Sequence, residues 1–430
     1  MRGLDEHRAA ALALAAPLEP VEVPLLDALG LVLAADVVTD EALPRWDNSA
    51  MDGYAVRAAD VAAASSGTPV RLRVVGDVAA GSDDEPAVTP GTAVRIMTGA
   101  PVPPGADAVV PVEQTTAPTP AGDGADGAWV VPGGVVEVGA VVVAGQHVRR
   151  AGEDATAGDV VLTAGAVVGA AHVAAAASVG RATLVVHRRP RVAVVSTGDE
   201  LVAPGSALRR GQIPDSNSWL LAAALRDAGA DVLRLGPVGD DPAALRALLH
   251  ALDAGEHGTV DGVVTSGGVS AGAFDVVKAA LADEPGVAMV PVAVQPGKPQ
   301  GLGRLPAGTP VWTLPGNPVS AFASFEMFVR PAVRRMLGAT PDRPRVAAVA
   351  DEGWRTPPGR AQLMPVRRVP EVPEVPEVPD APGAPRVRRA TARGSGSHLV
   401  ARLALAEGLA VIPADVDEVR AGDTLEVLWT

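Results

Sequence analysis

The stretch RVAVVSTGDE, residues 191–200, decides how this chain is read. Val192–Ser196 is a short apolar run of the kind that makes a strand buried on both faces. It runs straight into Ser196-Thr197-Gly198-Asp199-Glu200, a turn that carries two carboxylates. The same unit recurs further along. In GVVTSGGVSAG (262–272), the strand Gly262–Thr265 enters a glycine-rich loop, with Asp275 and a helix over Phe274–Ala282 behind it. In PVWTLPGNPVS (310–320), the strand Pro310–Leu314 enters Pro315-Gly316-Asn317-Pro318, with Ser320 near the start of a long helix over Val319–Leu337. Between these lie a helix over Trp219–Ala228 stopped by Gly229, a strand Val232–Leu235, a helix Pro242–Leu252 with Pro in its first turn, and a strand Met289–Val294. Alternating βα units with short apolar strands predict a parallel sheet covered on both faces.

The flanks read differently. Residues 5–16 form an Ala-rich helix ended by Pro17. Residues 21–40 read as a strand, a short helix over Leu25–Leu33 and another extended piece. From about 45 to 150, short alternating runs (Val70–Val75, Ala93–Met97, Ala108–Val112, Trp129–Val131, Val135–Val143) are separated by Gly, Pro and Asp, which predicts a β-rich module. After Pro341 the chain is β-like again and ends in strands Leu409–Ile412 and Thr424–Trp429 of a small barrel or sandwich. Val369–Asp380 reads VPEVPEVPEVPD, whose Pro at every third residue suits a solvated polyproline-II loop, expected to be neutral for function. The predicted fold class is therefore multidomain α/β plus β. Its expected parts are an N-terminal helix (1–19) on the α/β domain, a small linking domain (20–44 and 155–189) and a β-rich module (45–154). The parallel-sheet α/β domain (190–338) and a C-terminal β-barrel-like domain (339–430) with its Pro-rich loop at 369–380 complete the chain.

Composition bounds the function. The 430 residues imply about three domains. Aromatics are 3%, so the cores are built from Ala, Val and Leu. A net charge of −14 opposes a large nucleic-acid or anionic-membrane surface. The absence of Cys removes disulfides, thiolate zinc sites, iron–sulfur ligation and Cys nucleophiles. Residues 1–16 carry Asp5, Glu6 and Arg8 and resemble no secretory signal. A long uncharged run, Val160–Gly180, is cut by Thr163-Ala164-Gly165 into a strand and a helix, which opposes a membrane span. A cytoplasmic protein is expected.

In an open parallel sheet, ligands sit beyond the carboxyl ends of the strands. The loops after 196, 266 and 314 all leave such ends. Gly267–Ser270 and Pro315–Ser320 can present free backbone N–H groups to an anion, though each also suits a tight βα turn with a capping side chain. Glu200 beside Asp199 can hold Mg²⁺ through one or two oxygens while a phosphate supplies the rest, or stand as a solvated side chain. Rare letters sharpen the choice. Lys298 is one of only two lysines, and Asn48, Asn217 and Asn317 are the only asparagines. Each lies in a Gly- or Pro-rich, Ser- or Asp-rich turn. Lys298, between Gly297 and Pro299, suits a point charge aimed at an oxyanion. None of the seven His lies in these segments, so Ser-His-Asp hydrolysis has little support. The constellation describes a phosphate-bearing substrate with a divalent metal.

Taken in order, the segments closely resemble the MoeA family of molybdopterin molybdenumtransferases, similar to the E domain of gephyrin. The resemblance rests on Asp47-Asn48-Ser49-Ala50-Met51-Asp52-Gly53-Tyr54-Ala55, Met97-Thr98-Gly99-Ala100-Pro101, Gly105–Val110 and Arg150-Ala151-Gly152-Glu153-Asp154. It continues through Ser196–Leu201, Asp215-Ser216-Asn217, Ser266–Ser270, Pro296-Gly297-Lys298-Pro299 and Leu314–Ser320. It covers about residues 20–330 and is weaker beyond 340.

The resemblance implies an elongated homodimer with a molybdopterin-binding-like α/β domain. It implies insertion of molybdate into adenylylated molybdopterin with Mg²⁺, releasing AMP. The implied cleft lies between the α/β domain of one subunit and the β-rich module of the other, which would bring in Asp52, Thr98 and Glu113. Expected roles follow: Glu200, Asp240 and Asp275 on Mg²⁺, with Asp52 assisting; Lys298 with Arg149 or Arg150 on molybdate or the pterin phosphate. Gly267, Gly268, Ser270, Pro315, Asn317, Pro318 and Ser320 would cradle pyrophosphate and pterin. Asp154, Ser216, Asn217 and Ser397 complete the expected substrate contacts. Gln295 stands where some family members carry a second Lys. Expected partners are a second copy, the molybdopterin adenylyltransferase and the enzymes that accept the cofactor, with neither nucleic acid nor membrane. At this level an adenylyltransferase, a scaffold and a non-catalytic pterin carrier remain open beside the transferase.

Overall fold

The strand that opened the sequence, Arg191–Thr197, lies inside a six-stranded sheet. The order is Asp231–Val238, Arg191–Thr197, Gly262–Ser266, Pro310–Leu314, Pro299–Arg304, Val287–Pro291. The first four strands are parallel, but Pro299–Arg304 pairs antiparallel with both its neighbours. The sheet is thus mixed where the sequence predicts a parallel one. Pro299–Arg304 (PQGLGR) escapes the pattern because it has two glycines and no β-branched residue. The run read as Met289–Val294 divides into Val287–Pro291 and Val294–Gln295. The computed structural model describes residues 1–117, 129–269, 275–370, 383–391 and 398–430.

Period-2 alternation assigns the two faces of this sheet. Val192 and Val194 pack with Leu221, Leu225, Phe325 and Phe328 on one side. Ala193 and Val195 pack with Leu245, Leu249 and Leu252 on the other. The covering helices are Asn217–Asp227, Pro242–Asp253, Val276–Ala280 and Pro318–Ser324. Asp241 caps Pro242–Asp253 by accepting from the Ala243 amide at 2.9 Å. The single long helix expected over 319–337 is interrupted: a π-helical turn, Phe325–Val329, separates Pro318–Ser324 from Arg330–Met336. Pro331 has no amide hydrogen to give to the preceding turn, which accounts for the break.

The chain forms two compact units. One comprises Met1–Ala35, Ala164–Gly169 and Thr183–Thr430. Besides the sheet above, it holds a closed ring of five strands: Arg345–Ala350, Thr424–Trp429, Gly408–Ile412, Ala361–Arg368 and Arg386–Arg389, the last paired back to the first. Closure leaves this barrel-like sheet without exposed edges within the ring. Residues 371–380 of the Pro repeat lie outside the described residues. The helix Leu4–Ala13 packs on the π-helical turn, where His7 meets Phe328 edge-on with ring centroids 4.7 Å apart. The helix expected over Leu25–Leu33 is instead a turn, with Gly30 at φ 77° and a strand Val32–Leu33.

The other unit comprises Asp36–Thr163 and Ala170–Ala182. Its six-stranded sheet runs Ala108–Pro111, Gly53–Val56, Thr92–Ile96, Val70–Val78, Val135–Val138, Thr115–Thr116. Trp129–Val131 is not a strand here; the Val130 amide donates to the buried Tyr54 hydroxyl at 2.8 Å. Val160–Leu162 and the helix Ala170–Ser178 flank the break seen in sequence. Among the described residues, no helix is long and apolar enough to cross a membrane.

His7 is 2% exposed and its Nδ1 has no hydrogen-bond partner among the described residues. Burial, with Arg2 nearby, pushes its pKa from 6.5 to about 4. The unfolded chain therefore takes up this proton first as pH falls. Stability is full above pH 6.5 and declines toward pH 4, by up to about 3 kcal/mol. His7→Leu should flatten that part of the stability curve, as read by urea denaturation at a series of pH values.

Candidate active site

Three strands of the mixed sheet end in register. Ser196 lies beside Ser266, and Ser266 beside Leu314. Parallel pairing forces all three following loops out at one edge, where they line a cleft of about 1050 Å³. Gly316 and Gly267 touch there: a Cβ on Gly316 would lie 3.3 Å from the Gly267 Cα, so the two loops pack backbone to backbone. Gly268 takes the left-handed conformation, φ 61°, and a Cβ there would come within 2.8 Å of the Val277 amide nitrogen. The loop is thereby seated on the N-terminal end of the helix Val276–Ala280.

The cleft is lined by Glu200, Asp240, Asp275 and Lys298, four of the residues named from sequence. Ser216, Asn217, Gly267, Gly268, Pro315, Asn317, Pro318 and Ser320 line it as well. Asp199 and Asp240 exchange bonds across the mouth. The Asp240 amide donates to Asp199 Oδ1 at 3.0 Å, and the Asp199 amide to Asp240 Oδ2 at 3.4 Å. Asp275 Oδ2 is buried and, among the described residues, has no hydrogen-bond partner, an acceptor beside the cleft. Lys298 is exposed; its backbone oxygen accepts from Val292, holding the loop at 2.8 Å. Ser270 and Ser397 lie outside the described residues.

The remaining expected residues belong to the other unit. Asp52 accepts from the Thr98 amide at 2.7 Å and the Thr98 hydroxyl at 2.8 Å, and these two donors hold its carboxyl below the usual carboxylate range. Arg150 is engaged by Asp47 at 2.5 Å. Asp47 also accepts from the Ala151 amide at 2.8 Å, the main cause of its own lowered pKa. Arg149 pairs through its backbone with Asn48. The Asp154 amide donates to Leu43 at 3.0 Å, and Glu113 lies in an exposed 3-10 turn.

Comparison with known proteins agrees with this architecture over the whole chain. Residues 2–180 match the MoeA N-terminal region (domains I and II), 193–335 a probable molybdopterin binding domain, and 347–429 the MoeA C-terminal region (domain IV). Molybdopterin molybdenumtransferase 2 of Mycobacterium tuberculosis is 45% identical over 438 residues, covering 99% of both chains. The chain belongs to the MoeA family. Molybdopterin molybdenumtransferase 1 of the same organism is 36% identical, covering 100% of this chain and 99% of the relative. A crystal structure of a molybdopterin biosynthesis MoeA protein from Pyrococcus horikoshii superposes with a TM-score of 0.76 at 26% identity over the whole of both chains.

Two cleft residues of this MoeA protein were not found from sequence. Arg360 and His398 reach the cleft from the C-terminal region. The Ala361 amide donates to Ala293 at 2.9 Å, and Val294–Gln295 pairs with Ala361–Gln362. That pairing places Arg360 near the loop of Lys298. His398 directly follows Ser397, which the sequence reading does name, so a signal for it lay one residue away; Arg360 is an ordinary letter in an arginine-rich chain and carried none. Gly268→Ala should cost about 1–3 kcal/mol through strain at its left-handed position, with the displaced loop adding to the loss. Thermal denaturation beside wild type measures it.

Proposed function

We propose that this MoeA protein inserts molybdate into adenylylated molybdopterin, releasing AMP, in the cytoplasm and as a homodimer. The observation that carries the reading is the convergence of Glu200, Asp240, Asp275 and Lys298 with two touching glycine loops in one cleft, in a chain 45% identical to a molybdopterin molybdenumtransferase. Backbone N–H groups of Gly267–Gly268 and of the Pro315–Ser320 segment suit a pyrophosphate. Lys298 supplies the compact positive charge for an oxyanion, and Arg360 adds a second cation from the barrel side. In a chain of net charge −14, these local cations are what let an anion enter.

The donor set fits Mg²⁺. Asp275 Oδ2, partnerless among the described residues, is a hard oxygen ligand in waiting, and Glu200 and Asp240 line the same cleft. Among the described residues, no group of three or more acidic or His side chains is close enough to hold a metal by itself. Mg²⁺ keeps open positions for substrate phosphates in such sites. Glu200, Asp240 and Asp275 would therefore hold it directly or through water, together with the pyrophosphate. When bound, it neutralises that pyrophosphate and makes AMP a better leaving group. Asp52 and Thr98 enter the reading through the family resemblance, as do the adenylyltransferase that would supply the substrate and the enzymes that would accept the product.

AMP release from adenylylated molybdopterin, with Mg²⁺, should depend on molybdate. No release, with tight pterin binding retained, would replace this reading with a carrier or scaffold, and formation of the adenylylated compound from ATP would replace it with an adenylyltransferase. Glu200→Ala should abolish release while leaving the circular dichroism spectrum intact. Lys298→Ala should raise the molybdate concentration required about 10- to 100-fold, the worth of one charged hydrogen bond.

A further inference from the structure

We propose that Asp215 and Asn217 are positioning residues, a hydrogen-bonded clamp that sets the spacing of the two glycine loops, and that Asn217 acts through those loops instead of touching substrate. The link to catalysis rests on the function proposed above; the clamp itself does not.

Asp215 is 1% exposed, and all its partners are neutral. Its Oδ2 accepts from the Ser196 hydroxyl at 2.7 Å and the Ser218 hydroxyl at 2.6 Å; its Oδ1 accepts from the Ser218 amide at 3.0 Å. The Oδ1 bond caps the helix Asn217–Asp227, whose own N-cap residue, Ser216, makes no side-chain cap bond. The Oδ2 bond reaches the end of the strand Arg191–Thr197 through Ser196. Arg234 reaches only the Ser218 hydroxyl, at 3.2 Å, and lies over the Trp219 ring at 4.2 Å. A buried carboxylate is costly unless its geometry is tightly satisfied, and here that geometry locks the first turn of the helix to the sheet.

Asn217 stands on that locked turn. Its Nδ2 donates to Ser266 Oγ at 2.9 Å and to the Gly316 carbonyl at 2.6 Å. Ser266 ends the strand before Gly267, and Gly316 follows the strand Pro310–Leu314. One amide thus spans the roots of both loops, while Asp215 ties the third strand end. The Ser266 hydroxyl donates on to the Pro315 carbonyl at 3.4 Å, which closes the net. A primary amide is required because two donors must leave one nitrogen. Aspartate has none, and serine has one. Asn217 Oδ1 is buried and has no partner among the described residues, so within them the fold uses this side chain for its donors alone.

The test compares Asn217→Ala and Asn217→Asp with wild type by hydrogen–deuterium exchange and by steady-state AMP release. Exchange in peptides over 262–269 and 313–320 should rise at least tenfold, while strands 191–195 and 231–235 keep their protection. The kcat for AMP release should fall about 10- to 100-fold with KM changed less than threefold. Unchanged exchange in the two loops overturns the clamp. A uniform loss of protection across the sheet also overturns it, since that marks a merely structural residue. A large rise in KM with kcat retained would make Asn217 a substrate contact instead. If an Asn217 variant does not fold, Ser266→Ala removes one acceptor without disturbing the helix and should give the same local pattern at lower amplitude; no local change there refutes the clamp. If wild-type protein releases no AMP, the proposed function fails, and the exchange measurement still decides the clamp.

Discussion

The in-register parallel pairing of Arg191–Thr197, Gly262–Ser266 and Pro310–Leu314 is the constraint on which the rest depends. Parallel strands share a direction, so their carboxyl ends meet at one edge and their loops have to share a site. The register is held from both faces. Slipping Arg191–Thr197 by one residue would send Val192 and Val194 into the cluster of Leu245 and Leu249, and Ala193 and Val195 into the cluster of Phe325 and Phe328. Small Ala193 could not fill the space of a valine beside Trp312 and Phe328. The cleft is therefore as well defined as the core beneath it.

Electrostatics then specialise that edge. Carboxylates leave the loops after 196 and 238, the Asp275 carboxylate stands at the head of a short helix, and Lys298 enters from the loop before Pro299–Arg304. The site holds both signs of charge within one concavity, which suits a ligand that carries an anion together with its counter-cation. In the other unit, Asp52 is held ionised by two donors from Thr98, and Arg150 is already matched by Asp47. Of the two arginines read from sequence as oxyanion holders, Arg150 is thus committed to an ion pair.

The α/β core was legible because its strands are short apolar runs with glycine, proline or serine directly behind them. Pro310–Leu314 has the bounds read from sequence, and Pro242–Asp253 differs by one residue. The candidate cleft was legible for a related reason: rare letters, Lys298, Asn217 and Asn317, sit in a loop and at two helix starts, where the apolar patterns of helix and strand ask for nothing special. What escaped lacks local signal. Pro299–Arg304 pairs as a strand although glycine and proline disfavour it, because its neighbours supply the ladder. The π-helical turn follows from Pro331, but only tertiary packing chooses a bulge over a stop. Arg360 joins the cleft through a pairing between residues 294 and 361 that no periodicity announces.

The C-terminal barrel does more than bring Arg360. Ala361, Leu363, Leu409, Val411 and Leu428 belong to the same apolar cluster as Val192, Trp312 and Phe328. Barrel and sheet were thus not joined as finished parts; each completes the other's interior. Such a barrel is no interchangeable cassette. A lineage that shed it, or exchanged it for a foreign one, would bare a greasy seam on the remaining half, and would have to rewrite residues on both sides of that seam together.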